Sequence, residues 1–249
     1  MGAKPILFSG PMVRALLDGR KTQTRRIAKP QPEVRESGAF TWEAGRGAQC
    51  EGVAGTHWPP HDFILRQMCP FGFPGEYLWV KERLARGRHS WIYIADGAEV
   101  GWPARSLLAG KRLDYAPSIH MPKVASRLTL RITDVRIERL QDISEADAMA
   151  EGAEPCANGV WFDRSPVLAG SDARGGYYAL WEHINGKGAW DANPWVWAVS
   201  FEVLRLNIEQ VSAVSVIQSA SAGSDASVVE REGSRESPSS LSSNQQKEG

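Results

Sequence analysis

Apolar residues along this chain recur with two periods, and the switches between them mark out its elements. Pro5-Ile6-Leu7-Phe8 is a short apolar run that predicts a first strand over residues 5–8. Pro11 suits the first helical position, and Met12, Val13, Leu16 and Leu17 then share one face of a helix of about two turns. Gly19 stands where that helix wants a left-handed C-terminal residue. Residues 76–82 and 91–94 read as strands, with a turn at Asp96-Gly97. The clearest β signal is Arg127 to Arg139. There Leu128, Leu130 and Ile132 share one phase and Val135 and Ile137 the other, so the phase slips at Thr133-Asp134 and predicts a bulge or turn. Ser144, with Asp147 three residues on, predicts a capped helix that Gly152 ends. A later helix is expected over 175–185, carrying Tyr178, Leu180, Trp181 and Ile184. Trp195, Trp197, Val199, Phe201 and Val203 share one face of a last strand.

Between these elements the pattern fades. Residues of about 30–70 and 100–123 are rich in Gly, Pro and charge and are expected to be two irregular insertions. From residue 207 to 249, Ser, Glu, Gly and Gln dominate without apolar periodicity, which predicts a disordered tail behind a domain of residues 1–206. The fold class is therefore α+β, mainly β. Strands at these spacings with short helices between them fit a small closed or nearly closed barrel, which would leave few exposed strand edges.

Composition narrows the class. Of 249 residues 42% are hydrophobic and ten are Trp, enough for a substantial core. Net charge is zero, yet residues 1–206 hold 26 basic against 23 acidic residues, and the first 35 hold eight bases against Asp18 and Glu33. Such local basicity suits a pocket better than a long duplex-binding groove. Three cysteines argue against a disulfide framework and fit a reducing compartment. Pro5, Pro11 and Arg14 interrupt any signal-peptide core, and no run approaches the ~20 apolar residues of a membrane span. These features predict a soluble cytoplasmic protein without membrane contact.

The candidate chemistry lies in Gly19 to Arg26, GRKTQTRR, where Arg20, Lys21, Arg25 and Arg26 surround the hydroxyls of Thr22 and Thr24. That density of cations after a helix points to an anionic ligand such as a nucleotide or RNA. The plainer alternative is a solvated basic connector. In a regular strand Lys21 and Thr24 would point to opposite faces, so any cooperation between them requires a turn or bulge.

The spacing Gly19-x-Lys21-x-x-Thr24-x-Arg26, behind a short helix that follows an apolar strand, resembles the signature of the ASCH domain, a family of PUA-like small β-barrels associated with RNA. Pro74–Glu82, Arg127–Gly152 and Asn193–Leu204 resemble that family's later strands and helix, so the likeness covers most of residues 4–206. It is strongest toward the long ASCH-like proteins of bacteriophages and prophages, which would place the chain in a bacterial host cell. One branch of the family is an amidohydrolase that deacetylates N4-acetylcytidine with a lysine, a threonine three residues later and a glutamate in the late helix. The resemblance puts those catalytic roles on Lys21, Thr24 and Glu151, with Arg20, Arg25 and Arg26 as ligand-binding residues. It implies an RNA, nucleotide or modified-nucleoside partner and no cofactor. A non-catalytic reader of modified bases and a phage accessory or assembly factor are the competing functions.

The chemistry is coherent. Threonine needs a base to take its proton, and lysine serves only if its pKa falls toward 7–8. Neighbouring arginines and burial would push it that way; an ionised Glu151 would oppose them. On its residues alone, Glu151 reads as an exposed helix-terminal carboxylate. Cys50, His57, His61 and Cys69 have poor zinc spacing, because Pro59 and Pro60 break the histidine pair and no tight cysteine pair is present, so no metal is expected. Trp195 and Trp197 read as core; Trp42, Trp58 and Trp190 are the better candidates for stacking on bases.

Overall fold

The computed structural model describes residues 2–34, 39–44, 48–53, 69–86, 90–97, 115–163, 165–211 and 213. In chain order these form β1 (Lys4–Leu7), α1 (Gly10–Leu17), β2 (Gln23–Ile27), β3 (Glu33–Val34), β4 (Ala39–Ala44), β5 (Ala48–Val53), β6 (Tyr77–Lys81), β7 (Leu84–Arg86), β8 (Trp91–Tyr93), β9 (Tyr115–Ala116) and β10 (Thr129–Arg139). They continue with α2 (Glu145–Ala150), β11 (Glu154–Cys156), β12 (Gly159–Phe162), β13 (Ser165–Gly170), α3 (Ala173–Asn185) and β14 (Trp195–Leu204). The fold mixes α and β with more strand than helix. None of the described helices is long and apolar enough to cross a membrane. One compact unit runs Met1–Ile208 and a second Glu209–Gly249, most of the latter lying outside the described residues.

The central sheet has the order β1-β6-β10-β14-β2; β1 runs parallel to β6 and the other pairs are antiparallel. Among the described strands this mixed sheet is open, with β1 and β2 as its edges, and no closed barrel is formed. Its spine is β10 on β14. Their register shifts between Ile132 and Asp134, at the expected phase slip. The extra residue has a clear consequence: Leu128, Leu130 and Ile132 before it and Val135 and Ile137 after it all enter one core. That core also takes Trp195, Trp197, Val199 and Phe201 from β14, and Val13 and Leu16 from α1. Val196, on the other face of β14, joins a second core built by α2, α3 and β11–β13. Buried on both faces, β14 reads as a near-continuous apolar run.

The expected Ser144 cap is present, its Oγ accepting from Asp147 N at 3.1 Å; α3 starts two residues before the expected 175, capped by Asp172 Oδ1, which accepts from Gly175 N at 2.7 Å. Three differences from the sequence-based expectation stand out. The described part of the first insertion is regular, because β3, β4 and β5 pair as an antiparallel sheet. Phe40 and Trp42 alternate there with Thr41 and Glu43, a period-two pattern too short to emerge from its Gly-rich flanks. In the second insertion, residues 100–114 lie outside the described residues; β9 pairs with β7, and 3-10 turns follow at Ser118–His120 and Lys123–Ala125. The antiparallel sheet β11-β12-β13 has no counterpart in the sequence reading. It packs beneath α3 through glycines: a Cβ on Gly170 would lie 2.2 Å from Gly176 N and 2.8 Å from Gly175 Cα.

Backbone, not a flexible side chain, blocks that space. Gly170→Ala is therefore expected to lower stability by about 1–3 kcal/mol through forced separation of β13 from α3. Denaturant unfolding measures it; a change within about 0.3 kcal/mol would mean that the two elements separate at little cost.

Candidate functional site

The site begins where α1 stops. Asp18 caps the helix, Gly19 takes φ +74°, and the amides of Arg20 and Lys21 both donate to Ala15 O, at 2.9 and 3.0 Å. The chain then meets the end of α2: Thr22 N donates to Ala150 O at 2.9 Å, and Lys21 forms an isolated β-bridge with Glu151. Only at Gln23 does β2 begin. Lys21 thus precedes the regular alternation, which removes the period-two objection to its sharing a site with Thr24. Glu151 is the C-cap of α2 and is followed by Gly152 at φ +106°. A Cβ on Gly152 would stand 3.1 Å from Ala15 Cβ and 3.3 Å from Lys21 Cβ, so glycine serves both the conformation and the close approach.

Lys21 and Glu151 are 1% and 3% exposed. Lys21 Nζ donates to Glu151 Oε2 at 2.7 Å and to Glu151 backbone O at 2.9 Å. The other carboxylate oxygen, Oε1, accepts from Arg25 Nη1 at 3.3 Å. The sequence reading of Glu151 as an exposed helix-terminal carboxylate is corrected here: two cations from the basic motif enclose it, because the α1–β2 loop packs on the α2 terminus. Burial is the strongest influence on Lys21 and lowers its pKa; Glu151 pulls upward, Arg26 and Arg25 pull down, and the net direction is down.

Arg25 is also enclosed, its side chain 0% exposed. Its Nε and Nη2 donate to Glu138 Oε1 at 2.9 and 2.6 Å, Nη1 donates to Gln23 Oε1 at 2.5 Å, and Nη2 lies 3.2 Å from Asp147 Oδ2. Burial opposes its charge, but Glu151 and Glu138 outweigh that and raise its pKa. For Asp147, burial pushes the carboxyl up, but Arg25, the Gln23 amide and Arg136 outweigh it and hold it below the usual range. Arg20 donates to Gly152 O at 2.9 Å and pairs with Asp18 Oδ2 at 2.8 Å. Arg26 differs: Nη2 donates to Leu7 O at 2.7 Å and the guanidinium sits 5.2 Å from the Phe8 ring centroid, with Lys21 Nζ 5.7 Å from the same ring.

All six sequence-derived candidates, Arg20, Lys21, Thr24, Arg25, Arg26 and Glu151, line one cavity of about 810 Å³. Thr24 and Arg26 share one face of β2 and Arg25 and Ile27 the other, so the cavity passes over the free edge of the strand. The hydroxyl of Thr24 makes no hydrogen bond among the described residues, and Lys21 Nζ directs both of its bonds to Glu151. The opposite wall was not foreseen. Phe162, Leu168, Tyr177, Leu180 and Trp181 supply it from β12, β13 and α3. Burial, then Glu151, pushes the Tyr177 phenol well above its ordinary pKa. Trp190 belongs to the second core, edge-on to Tyr177 and Tyr178, and Trp195 and Trp197 are buried as expected. The side chains of Trp42 and Cys50, and all of Trp58, His57 and His61, lie outside the described residues. Among those described, no cluster of His, Cys, Asp and Glu forms a metal site.

No protein-family model, no curated protein and no solved structure matches this chain.

Glu151→Ala leaves Lys21 buried without its carboxylate and deprives Arg25 of one of three. A loss of about 3–5 kcal/mol in denaturant unfolding is expected, with much of it recovered in Lys21→Met/Glu151→Leu, where neither charge remains. A loss below about 1 kcal/mol would match a solvated surface pair and contradict the burial.

Proposed function

We propose that this cavity binds a modified pyrimidine nucleoside or nucleotide, in the manner that the ASCH-like motif implies, and hydrolyses an N-acyl group from the base. The observation that carries the proposal is the buried Lys21, with its pKa lowered, on the wall of a cavity that also holds Thr24. In the proposed reaction, neutral Lys21 Nζ takes the Thr24 Oγ proton as Oγ forms a bond to the acyl carbon. Collapse of the tetrahedral adduct breaks the carbon–nitrogen bond, and the Lys21 ammonium returns the proton to the departing base nitrogen. Water then hydrolyses the acyl-threonine by the same proton route. Glu151 orients Lys21 through its two acceptors, and Arg25 holds Glu151. The kinship to PUA-like barrels belongs to this proposal too, with the open five-stranded sheet and its α1-linked edges as the part of such a barrel the chain would retain.

A non-catalytic reader of modified bases is the second function, and one observation favours it: Lys21 donates to Glu151 rather than accepting from Thr24. Catalysis would require a bound amide to draw Thr24 and Lys21 into hydrogen-bond reach, a tightening that ligand-free sites often need.

Mass-spectrometric assay of the full chain against acylated cytidines, paired with binding measurements, separates the two. For the hydrolase, Thr24→Val abolishes turnover and largely retains binding, whereas Lys21→Ala abolishes turnover and also weakens binding. Binding without product across the panel leaves the reader standing.

The pH profile supplies an independent test. Base catalysis by Lys21 needs the neutral amine, so the rate rises with pH through a midpoint below the ordinary lysine value of about 10.4. Glu151→Gln removes the carboxylate that raises this pKa, so the midpoint is expected to move lower still. Movement upward would exclude Lys21 as the titrating base.

A further inference from the structure

The side chains lining the cavity include five cations, Arg14, Arg20, Lys21, Arg25 and Arg26, against four anions, Asp18, Glu151, Glu154 and Asp163. The pairings account for all but one. Arg14 Nη2 meets Asp163 at 2.9 Å, Arg20 meets Asp18 at 2.8 Å, and Lys21 and Arg25 share Glu151. Arg26 forms no ion pair within 4 Å among the described residues, though Glu151 acts on it from farther off. Leu7 O takes one of its five N–H groups and Phe8 covers a face, while Nε and Nη1 hold no hydrogen bond there. With one Nη2 N–H on Leu7 O, the second Nη2 N–H and the N–H beside it, on Nη1 or Nε, remain as a two-donor edge for an oxyanion with two acceptor oxygens.

Size and placement narrow the anion. A cavity of about 810 Å³ lies high in the roughly 300–1,000 Å³ range of small-molecule sites, so a lone nucleoside leaves much of it empty. Arg26 is two residues from Thr24 on the same face of β2, about 7 Å along the strand. Phe162, Tyr177 and Trp181 bound the cavity on an apolar side, each at most 5% exposed, so a base there is confined by shape rather than stacked on an open ring. We infer that the occupant is a phosphorylated nucleoside and that Arg26 binds its phosphate. The base end rests on the function proposed above; the phosphate end rests on Arg26 alone. A free mononucleotide and a residue within RNA present the same chemistry.

Calorimetric titration of the full chain with N4-acetylcytidine, its 5′-monophosphate, cytidine 5′-monophosphate and a short RNA carrying the acetylated base tests this. The monophosphate is expected to bind at least about tenfold tighter than the nucleoside, a charge-assisted contact's worth. In Arg26→Gln that ratio falls to about one, in Arg26→Lys it is intermediate, and in Arg131→Gln, whose side chain pairs with Glu202 outside the cavity lining, it persists. Preference for the monophosphate over the RNA identifies a free nucleotide; the reverse identifies RNA. A ratio near one in the wild type, or one that survives in Arg26→Gln, overturns the inference, as does absence of binding by every ligand. Arg26-dependent binding of the monophosphates with no acyl group released would leave the phosphate site standing and remove the hydrolase. Turnover of the free nucleoside with no phosphate advantage would do the opposite.

Discussion

The site depends on a lysine and a glutamate removed from water together. Lys21 Nζ and Glu151 Oε2 stand 2.7 Å apart with almost no exposed surface, and their backbones are bridged. Burying either charge alone would be strongly unfavourable, so each is the condition of the other's presence. The pair also joins two segments 130 residues apart in sequence, the α1–β2 loop and the end of α2. Left-handed glycines flank both sides of the junction, Gly19 turning the chain into Lys21 and Gly152 letting the α2 terminus close on Ala15 and Lys21. Without those two conformations, neither segment could bring its charge to the other.

From that pair the electrostatics spread outward in order. Arg25 takes the second oxygen of Glu151 and is itself held by Glu138, Asp147 and Gln23. Arg136 then closes the group by meeting Asp134, Glu138 and Asp147. Charge density in the basic motif therefore misleads if every cation is assigned to a ligand. Arg25 is structural in its contacts: it gives a second cation to Glu151, which Lys21 also meets, and to Glu138 and Asp147, which Arg136 also meets. Its effect on Lys21 is indirect and double, since its charge disfavours the ammonium while its grip on Glu151 keeps the opposing carboxylate in place. The division of labour leaves Arg26 as the cation with donors to offer.

What could be read from the sequence was what depends on neighbours along the chain. The slip at Thr133-Asp134, the Ser144 cap, the left-handed Gly19 and the apolar face of β14 are local patterns, and each appears where its residues place it. The motif GRKTQTRR was legible as a concentration of polar groups on one cavity, but not as a ranking among them. That ranking depends on Glu138, Asp147 and Glu151, which lie more than 100 residues away and become neighbours only through β10 and α2. Glu151 looked exposed because a helix end usually is. The β11–β13 sheet is less legible for a related reason: its strands are short, Val160, Phe162 and Leu168 give too few apolar positions to set a period, and the close fit of Gly170 on Gly175 and Gly176 is a contact of backbones.

Chemistry and recognition make opposite demands on Lys21, and the geometry shows where they diverge. As a recognition element it benefits from Glu151, which keeps it placed and charged. As a base it must be neutral and turned toward Thr24, and each bond to Glu151 resists that. Burial and the neighbouring guanidinium groups work against the charge, so the two influences are set against each other within a single residue. An anion drawn to Arg26 would bring negative charge into the cavity and favour the ammonium. An apolar base filling the cavity would displace water and disfavour it. On the proposed function, the state of Lys21 would be set by which part of the ligand lay nearest to it: close to a phosphate it would remain a binding cation, and close to a base it would be placed to take the Thr24 proton.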